Sequence, residues 1–470
     1  MNLPICISTI FLFTLLLQTP FITAQLHFAF ELFRHGARAP SELFSNNTDI
    51  FGEQWESPSH LTAVGLRQHY ILGHRNRLRY IETTSLLNKT FNPKELIVFS
   101  TDSDRTILSA NAQLQGLYPQ GTGHNLTSSQ AQNAIPPNDN ALYKDEQERL
   151  QLSALPELME LIPVKTFIQS EHLVNLFSLS VCPKMSEILN NQTQQTKLKN
   201  YINTLHDKYS DVISKLTNTT VDNVMYDYDS TCIVLDTFIS EYYDGKDLTK
   251  FTNAGIDIET FLTDAFGFYL LDMIGNGEGH DTLTSISMTY VFKQLIKWMD
   301  MRIEMERKGK GNESDYTMPK FVMYSGHEST LGAFEGFMKY VFGCEVKYPK
   351  FASSVFVELW KGNDGEYNVE YYFNDEFILS MRYNEFKRKV NEKLQSDEQI
   401  QTFCEFNNSN NNNNKKESSF NYFKLFGICL IIVMVVLVVI MVYLIMIRYK
   451  IKTNKLNNVA MPKTKQELLV

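Results

Sequence analysis

Three short apolar runs, each ending directly in a polar loop, constrain the fold more than any other feature of the sequence. LHFAFELF (26–33), ELIVFS (95–100) and KFVMYS (320–325) have the length of buried strands, and a helical pattern follows each loop. Alternating strands and helices form a largely parallel sheet, and ligands bind outside the carboxyl ends of its strands. The sequence therefore predicts an α/β fold in which the loops RHGAR, TDSDR and GHE lie close together.

The middle of the chain has a different pattern. From 131 to 259 the sequence consists of longer helical stretches with few strand candidates. We expect this segment to form an α-helical cap, inserted between the two parts of a catalytic α/β domain at 25–130 and 260–405. Further on, SSVFVELW and YNVEYYF flank Asn363-Asp364-Gly365, a turn sequence that predicts a β-hairpin.

Both ends of the chain carry membrane signals. Residues 1–24 contain an apolar stretch followed by a small-residue site, which predicts a cleaved signal peptide. Residues 425–447 run without a charge for the length of a bilayer-spanning helix, and basic residues follow them. We therefore expect a single-pass membrane protein with an Asn-rich stalk at 406–424, a cytoplasmic tail at 448–470 and its bulk outside the cytosol.

The polar composition agrees with a lumenal or extracellular protein. Seven N-x-S/T sequons, which predict a glycoprotein, all precede the apolar span, at Asn46, Asn88, Asn125, Asn191, Asn218, Asn312 and Asn407. The cysteines of the predicted ectodomain are Cys182, Cys232, Cys344 and Cys404. Their even number predicts two disulfides with three possible pairings, and their wide spacing does not indicate a zinc site. A net charge of −9 argues against a general nucleic-acid-binding protein.

The three loops contain the groups that phosphoryl transfer requires. That reaction needs positive charge and positioning around the transferred group, and arginine binds phosphate oxygens through two parallel hydrogen bonds. A neutral histidine can act as a nucleophile, and a carboxyl group can protonate the departing alkoxide at low pH. Two flanking arginines should keep His35 neutral because a third charge would be repelled. The candidate catalytic residues are His35 and Glu328, and the candidate phosphate-binding residues are Arg34, Arg38, Arg105 and His327.

These motifs resemble those of the histidine acid phosphatases. RHGARAP (34–40) fits the RHGxRxP signature of that family at every fixed position, and LTAVGLRQHYILG (61–73) and VMYSGHEST (322–330) match further characteristic stretches. The resemblance covers roughly residues 26–405. It implies a phosphoglycerate-mutase-like sheet domain flanked by helices, with an α-helical cap. It also implies hydrolysis of phosphate monoesters through a phosphohistidine at His35, without a metal or other cofactor.

The chain departs from the family at the expected proton donor. The resemblance implies an aspartate directly after the second histidine, whereas this chain has Glu328, whose carboxyl group lies one methylene further out. We expect Glu328 to take over the role. The resemblance also implies that Cys182 pairs with Cys404 and Cys232 with Cys344.

Other functions remain open on the sequence alone. The same chemistry could serve an inositol-phosphate (phytase-like) or a lysophospholipid phosphatase, and a catalytically silent surface glycoprotein or receptor could retain the fold. Neither a wide basic pocket nor an apolar channel is evident in the cap segment. The sequence also leaves open a lysosomal or cell-surface location, proteolytic release at the stalk and the formation of a homodimer.

Overall fold

The computed structural model describes residues 24–136, 141–166, 184, 192–274, 280–308 and 318–404. The strands are β1 (Gln25–Arg34), β2 (Leu96–Ser100), β3 (Val164–Thr166), β4 (Phe321–Gly326), β5 (Ser354–Lys361), β6 (Tyr367–Phe373) and β7 (Glu376–Arg382). The α-helices are α1 (Ala63–Arg77), α2 (Asp104–Leu117), α3 (Ser128–Asn133), α4 (Ala141–Leu150), α5 (Gln192–Thr217), α6 (Tyr228–Asp244), α7 (Thr249–Asn253), α8 (Ile258–Ile274), α9 (His280–Lys308), α10 (Glu328–Phe342), α11 (Tyr383–Asn391) and α12 (Asp397–Phe403). A π-helical turn, Leu78–Thr83, continues α1.

The strands form one mixed sheet in the order β3-β2-β4-β1-β5-β6-β7. The first four strands of this order are parallel, and β5, β6 and β7 are added antiparallel to one another. The predicted α/β fold is confirmed, and so is the hairpin, which connects β5 to β6 through Gly365 in the left-handed region (φ 79°). Because β1, β2 and β4 are adjacent and parallel, their carboxyl ends lie side by side.

Helices cover both faces of the sheet, which explains why the first strand is almost continuously apolar. On one face, Phe28 and Phe30 of β1 join a core that α9 and α10 complete. On the other face, Phe33 packs in a second core that includes Tyr80 and Leu114, from the α1 and α2 side. Alternate side chains of one strand therefore enter two different cores.

A third core belongs to the helices from α5 to α8, which we call the helical lobe (192–274). Its centre is a cluster of buried aromatic rings from three of these helices, Phe238, Phe251, Phe261 and Phe268. The same core includes Ala37 and Phe351, which follow β1 and precede β5. The helical lobe is therefore packed directly against the loop that carries the RHGAR motif.

The predicted pairing of Cys232 with Cys344 is wrong, because both residues are free cysteines. Cys232 lies in α6 and packs against the core of the helical lobe, whereas Cys344 follows α10 and packs against the core of the sheet. The two thiols thus belong to separate cores. Cys404 is disulfide-bonded, and its predicted partner Cys182 lies outside the described residues.

The predicted membrane segments also fall outside the described residues. These are the span at 425–447, the stalk, the tail and residues 1–23 of the signal. Within the described ranges, no helix combines the length and the apolar character needed to cross a bilayer. The sequon residues Asn46, Asn88, Asn125 and Asn218 are exposed, and the other three sequons lie in segments that are not described.

Candidate active site

The three loops meet at the carboxyl edge of the sheet. Arg34 is aligned with Gly326 across β1 and β4, and Ser100 with Ser325 across β2 and β4. The backbone N–H of His35 donates to the carbonyl oxygen of Gly326 over 3.0 Å. All six candidate residues lie at this edge. Contacts between loops connect five of them: Arg34 with Glu328, Arg105 with His327, and the ring of His35 with that of His327.

His35 is oriented by its own loop. Its Nδ1 lies 2.9 Å from the carbonyl oxygen of Gly36. Because a carbonyl oxygen only accepts hydrogen bonds, Nδ1 carries the proton and Nε2 keeps a free lone pair in the neutral ring. Burial, followed by the charges of Arg34 and Arg38, lowers the pKa of His35 well below its usual value. The neutral imidazole that a nucleophile requires is therefore the stable form.

Two glycines allow the loop to pass close to α1. A Cβ atom on Gly36 would lie 2.5 Å from the carbonyl oxygen of Gly65, and a Cβ on Gly65 would lie 2.2 Å from that of Ala37. A hydrogen bond also joins the loop to α1, because the N–H of Ala37 donates to Gln68 Oε1 over 2.9 Å. The N–H of Gly36 donates to the hydroxyl of Ser109 in α2 over 3.1 Å. These contacts fix the backbone on both sides of His35.

Arg34 is buried and binds three oxygen atoms. Its Nη2 lies 2.7 Å from Glu328 Oε2, and its Nη1 donates to the hydroxyl of Tyr348 over 3.1 Å and to the carbonyl oxygen of Pro349 over 2.7 Å. The guanidinium also lies over the ring of Phe351, 4.4 Å from its centroid. Its buried Nε has no hydrogen-bond partner among the described residues.

Arg38 is bound by a carboxylate that comes from the helical lobe. Both of its terminal nitrogens donate to Asp236 of α6, over 3.1 and 2.8 Å. The backbone N–H and the hydroxyl of Ser41 donate to the same carboxylate. Burial would raise the pKa of Asp236, but Arg38 and Ser41 outweigh it and hold that pKa below its usual range. Asp236 is therefore a fixed negative charge beside the three arginines.

Arg105 and His327 form the third side of the site. Arg105 Nη2 donates to Nδ1 of His327 over 3.3 Å, and the other ring nitrogen of His327 lies 2.9 Å from the hydroxyl of Thr101. Burial, then the charges of Arg105 and Arg34, lower the pKa of His327 to about 3. Burial, then the charge of Arg38, lower the pKa of Arg105 to about 10. Like Arg34, Arg105 has a buried Nε without a hydrogen-bond partner in the described part of the chain.

A cavity of about 180 Å³ adjoins the site at Arg34, Arg38 and Glu328, whereas His35, Arg105 and His327 are not among the residues that line it. The charged residues that line it are Arg34, Arg38, Asp236 and Glu328, and the remaining wall includes Tyr269, Tyr348, Ile239 and Cys232. Each lining arginine is thus paired with one lining carboxylate. Within the described ranges, no cluster of three His, Cys, Asp or Glu side chains could hold a metal ion.

Two of the lining residues bind the predicted arginines and are not in the set that the sequence predicted, namely Asp236 and Tyr348. Asp236 lies in the middle of an amphipathic helix, and Tyr348 lies in an irregular segment between α10 and β5. Neither belongs to a motif with a chemical signature. Asp236 binds Arg38, 198 residues earlier in the chain, and Tyr348 binds Arg34, 314 residues earlier. No local capping or turn pattern could have predicted contacts over such distances.

Comparisons with known proteins agree with this arrangement. A family model described as the histidine phosphatase superfamily (branch 2) matches residues 25–374. Lysosomal acid phosphatase from Xenopus laevis is 27% identical over 75% of this chain and 70% of its own length. Prostatic acid phosphatase from Bos taurus is 25% identical over 75% of this chain and 78% of its own length. Among solved structures, the phytase from Citrobacter braakii has the same fold, with a TM-score of 0.52 at 14% identity over 81% of this chain and 99% of that one.

Proposed function

The chain belongs to branch 2 of the histidine phosphatase superfamily, and we propose that it is an acid phosphatase in which His35 is the nucleophile. It hydrolyses phosphate monoesters. Arg34, Arg38, Arg105 and His327 bind the phosphate group, and Glu328 is the proton donor. The observation that carries this assignment is the hydrogen bond from Nδ1 of His35 to Gly36, which leaves Nε2 as a free nucleophile beside three guanidinium groups.

In the first step, Nε2 of His35 attacks phosphorus and the bond from phosphorus to the ester oxygen breaks. The electron pair of that bond stays on the leaving oxygen, which takes a proton from the Glu328 carboxyl group. The ring of His35 gains positive charge as the P–N bond forms, and the carbonyl oxygen of Gly36 stabilises that charge through Nδ1–H. The arginines stabilise the negative charge on the phosphoryl oxygens.

In the second step, water attacks the phosphohistidine. The Glu328 carboxylate left by the first step accepts a proton from that water while the P–N bond breaks. Inorganic phosphate is released and His35 returns to its neutral form, with the proton again on Nδ1. The cycle uses one carboxyl group as acid and then as base, so no further proton carrier is needed.

The covalent intermediate gives the direct test of this proposal. Mixing the purified protein with ³²P-labelled substrate at acid pH and quenching in base should leave label on the protein that is stable in base and is lost in acid. Peptide mapping should place the label on His35. The His35→Ala variant, treated in parallel, should retain none. Label that persists in this variant, or that maps elsewhere, contradicts the assignment.

The cavity supports small monoesters over the phytase-like alternative. None of the described residues that line it is a lysine, and both lining arginines are already paired with carboxylates. A substrate with several phosphate groups needs further positive charge around the reacting one. Tyrosine and isoleucine side chains in the wall suit an uncharged leaving group, so a lysophospholipid remains the second substrate class.

We further propose that the catalytic domain, covered by the helical cap, is held outside the cytosol by the span at 425–447. A lysosomal or cell-surface location agrees with the signal segment and with the exposed sequon residues. The relatives named lysosomal acid phosphatases favour the lysosome. The full chain should remain in membrane pellets washed with alkaline carbonate, whereas a chain ending at residue 424 should be secreted. Extraction of the full chain by carbonate would exclude the anchor.

A further inference from the structure

Tyr348 lies on the cavity wall between Arg34 and Glu328. Its hydroxyl accepts a hydrogen bond from Arg34 Nη1 over 3.1 Å and donates one to Glu328 Oε2 over 2.8 Å. Glu328 Oε2 also binds Arg34 Nη2 over 2.7 Å. The three side chains therefore form a closed ring of hydrogen bonds. Both contacts to Glu328 fall on the same oxygen, and Oε1 has no such contact from the described residues.

The ring of Tyr348 is held in place by the helical lobe. It stacks on Phe266 with a centroid distance of 4.9 Å and on Tyr269 with a distance of 6.1 Å, at interplanar angles of 24° and 23°. Burial raises the pKa of Tyr348 above its usual value, and the charge of Arg34 opposes this shift without cancelling it. The hydroxyl is thus a fixed donor at acid and neutral pH.

We propose that Tyr348 is a positioning residue that determines which oxygen of Glu328 delivers the proton, an inference that rests on the function proposed above. In a carboxylic acid, one oxygen carries the proton and the other accepts hydrogen bonds. Because Tyr348 donates to Oε2, the acidic proton resides on Oε1. When the ester bond breaks, this proton moves to the leaving oxygen, and Tyr348 stabilises the carboxylate that remains.

This role explains how a glutamate can serve where the family has an aspartate. The side chain of Glu328 has one more rotatable bond than aspartate, so holding it in a single geometry costs more conformational entropy. When the substrate phosphate takes over the guanidinium of Arg34, the hydrogen bond from Tyr348 still restrains the carboxyl group. The restraint matters because a small misplacement of a catalytic group lowers the rate strongly.

The Tyr348→Phe variant tests this role through the nature of the leaving group. p-Nitrophenolate leaves readily without a proton, whereas the alkoxide of glycerol 2-phosphate needs one. We expect kcat/KM for glycerol 2-phosphate to fall by about 10- to 100-fold and that for p-nitrophenyl phosphate by less than about threefold. The Tyr243→Phe variant is the matched control. It also loses a tyrosine hydroxyl, but from a ring that packs on Phe351, so the ratio of kcat/KM for the two substrates should not change.

An equal loss on both substrates, or no loss on either, overturns the positioning role while leaving the proposed function intact. If the wild-type protein hydrolyses neither substrate, the proposed function fails and this inference fails with it. The two failures are therefore distinguished by the wild-type measurement alone.

Glu328→Asp gives a second test that keeps Tyr348 in place. A shorter side chain withdraws the carboxyl group from the tyrosine hydroxyl, so hydrolysis of glycerol 2-phosphate should fall by a similar factor. Adding Tyr348→Phe to this variant should change the substrate ratio no further. Equal or faster hydrolysis by Glu328→Asp contradicts the inference, even if Tyr348→Phe alone does not fold.

Discussion

Replacing His35 with alanine should lower kcat for p-nitrophenyl phosphate by on the order of 10⁴- to 10⁶-fold, the cost of losing a nucleophile. The arginines remain in this variant, so phosphate should still bind. The loss should therefore appear in kcat, with a much smaller change in the Kd for inorganic phosphate. Steady-state kinetics at acid pH, together with phosphate titration, separate these two quantities.

His74→Ala is the matched control for this substitution. His74 is an exposed histidine on α1, and its removal should leave kcat within about twofold of wild type, as expected for a surface position. Activity of His35→Ala above about one hundredth of wild type would mean that another group attacks phosphorus, since nucleophile variants retain far less.

Replacing Arg105 with alanine should reduce kcat/KM for p-nitrophenyl phosphate by about 10³-fold, in the range measured for arginines that stabilise phosphoryl transfer. Arg34 and Arg38 each bind a carboxylate of the protein, whereas the guanidinium of Arg105 hydrogen-bonds, among the described residues, to the neutral ring of His327 through Nη2. A substrate phosphate therefore displaces no carboxylate of the described residues when it binds the guanidinium of Arg105. Arg105→Lys should recover part of the loss, because lysine retains the charge but not the two parallel donors.

In Arg105→Ala, the inhibition constant for inorganic phosphate should rise as kcat/KM falls, because the same guanidinium binds the product and the substrate. Arg67→Ala, which removes an exposed arginine from α1, is the charge-matched control and should change neither value. A loss of less than about tenfold in Arg105→Ala would show that Arg34 and Arg38 are sufficient, because one stabilising donor alone is normally worth more.

The central sheet and the meeting of the three loops could be predicted because the relevant signals are local. β1 and β4 are apolar runs of strand length, and the parallel arrangement brings the ends of both strands to one edge. Five of the six candidate side chains lie at or shortly after those ends, and Arg105 follows the neighbouring parallel strand β2. Sequence spacing alone was enough to place them at the same edge.

The rest of the site depends on contacts that no local pattern encodes. Asp236 reaches Arg38 only because the helical lobe packs its core against Ala37 and Phe351. The contact of Tyr348 with Glu328 depends on the path of an irregular segment after α10. The pairing of Cys232 with Cys344, which the resemblance to the histidine acid phosphatases implied, is wrong because the two thiols enter different cores. Cysteine number and order left this pairing open.

The two carboxylates that face Arg34 and Arg38 mean that this centre contains its own counter-ions. In the proposed mechanism, a phosphate group that binds Arg34 and Arg38 must displace Glu328 and Asp236, so the protein's own carboxylates offset part of the attraction between guanidinium and phosphate. After each turnover Asp236 competes with the newly formed inorganic phosphate for Arg38, and Glu328 competes for Arg34 once it has lost the proton taken from water. The geometry thus favours rapid product release over tight retention of the anion.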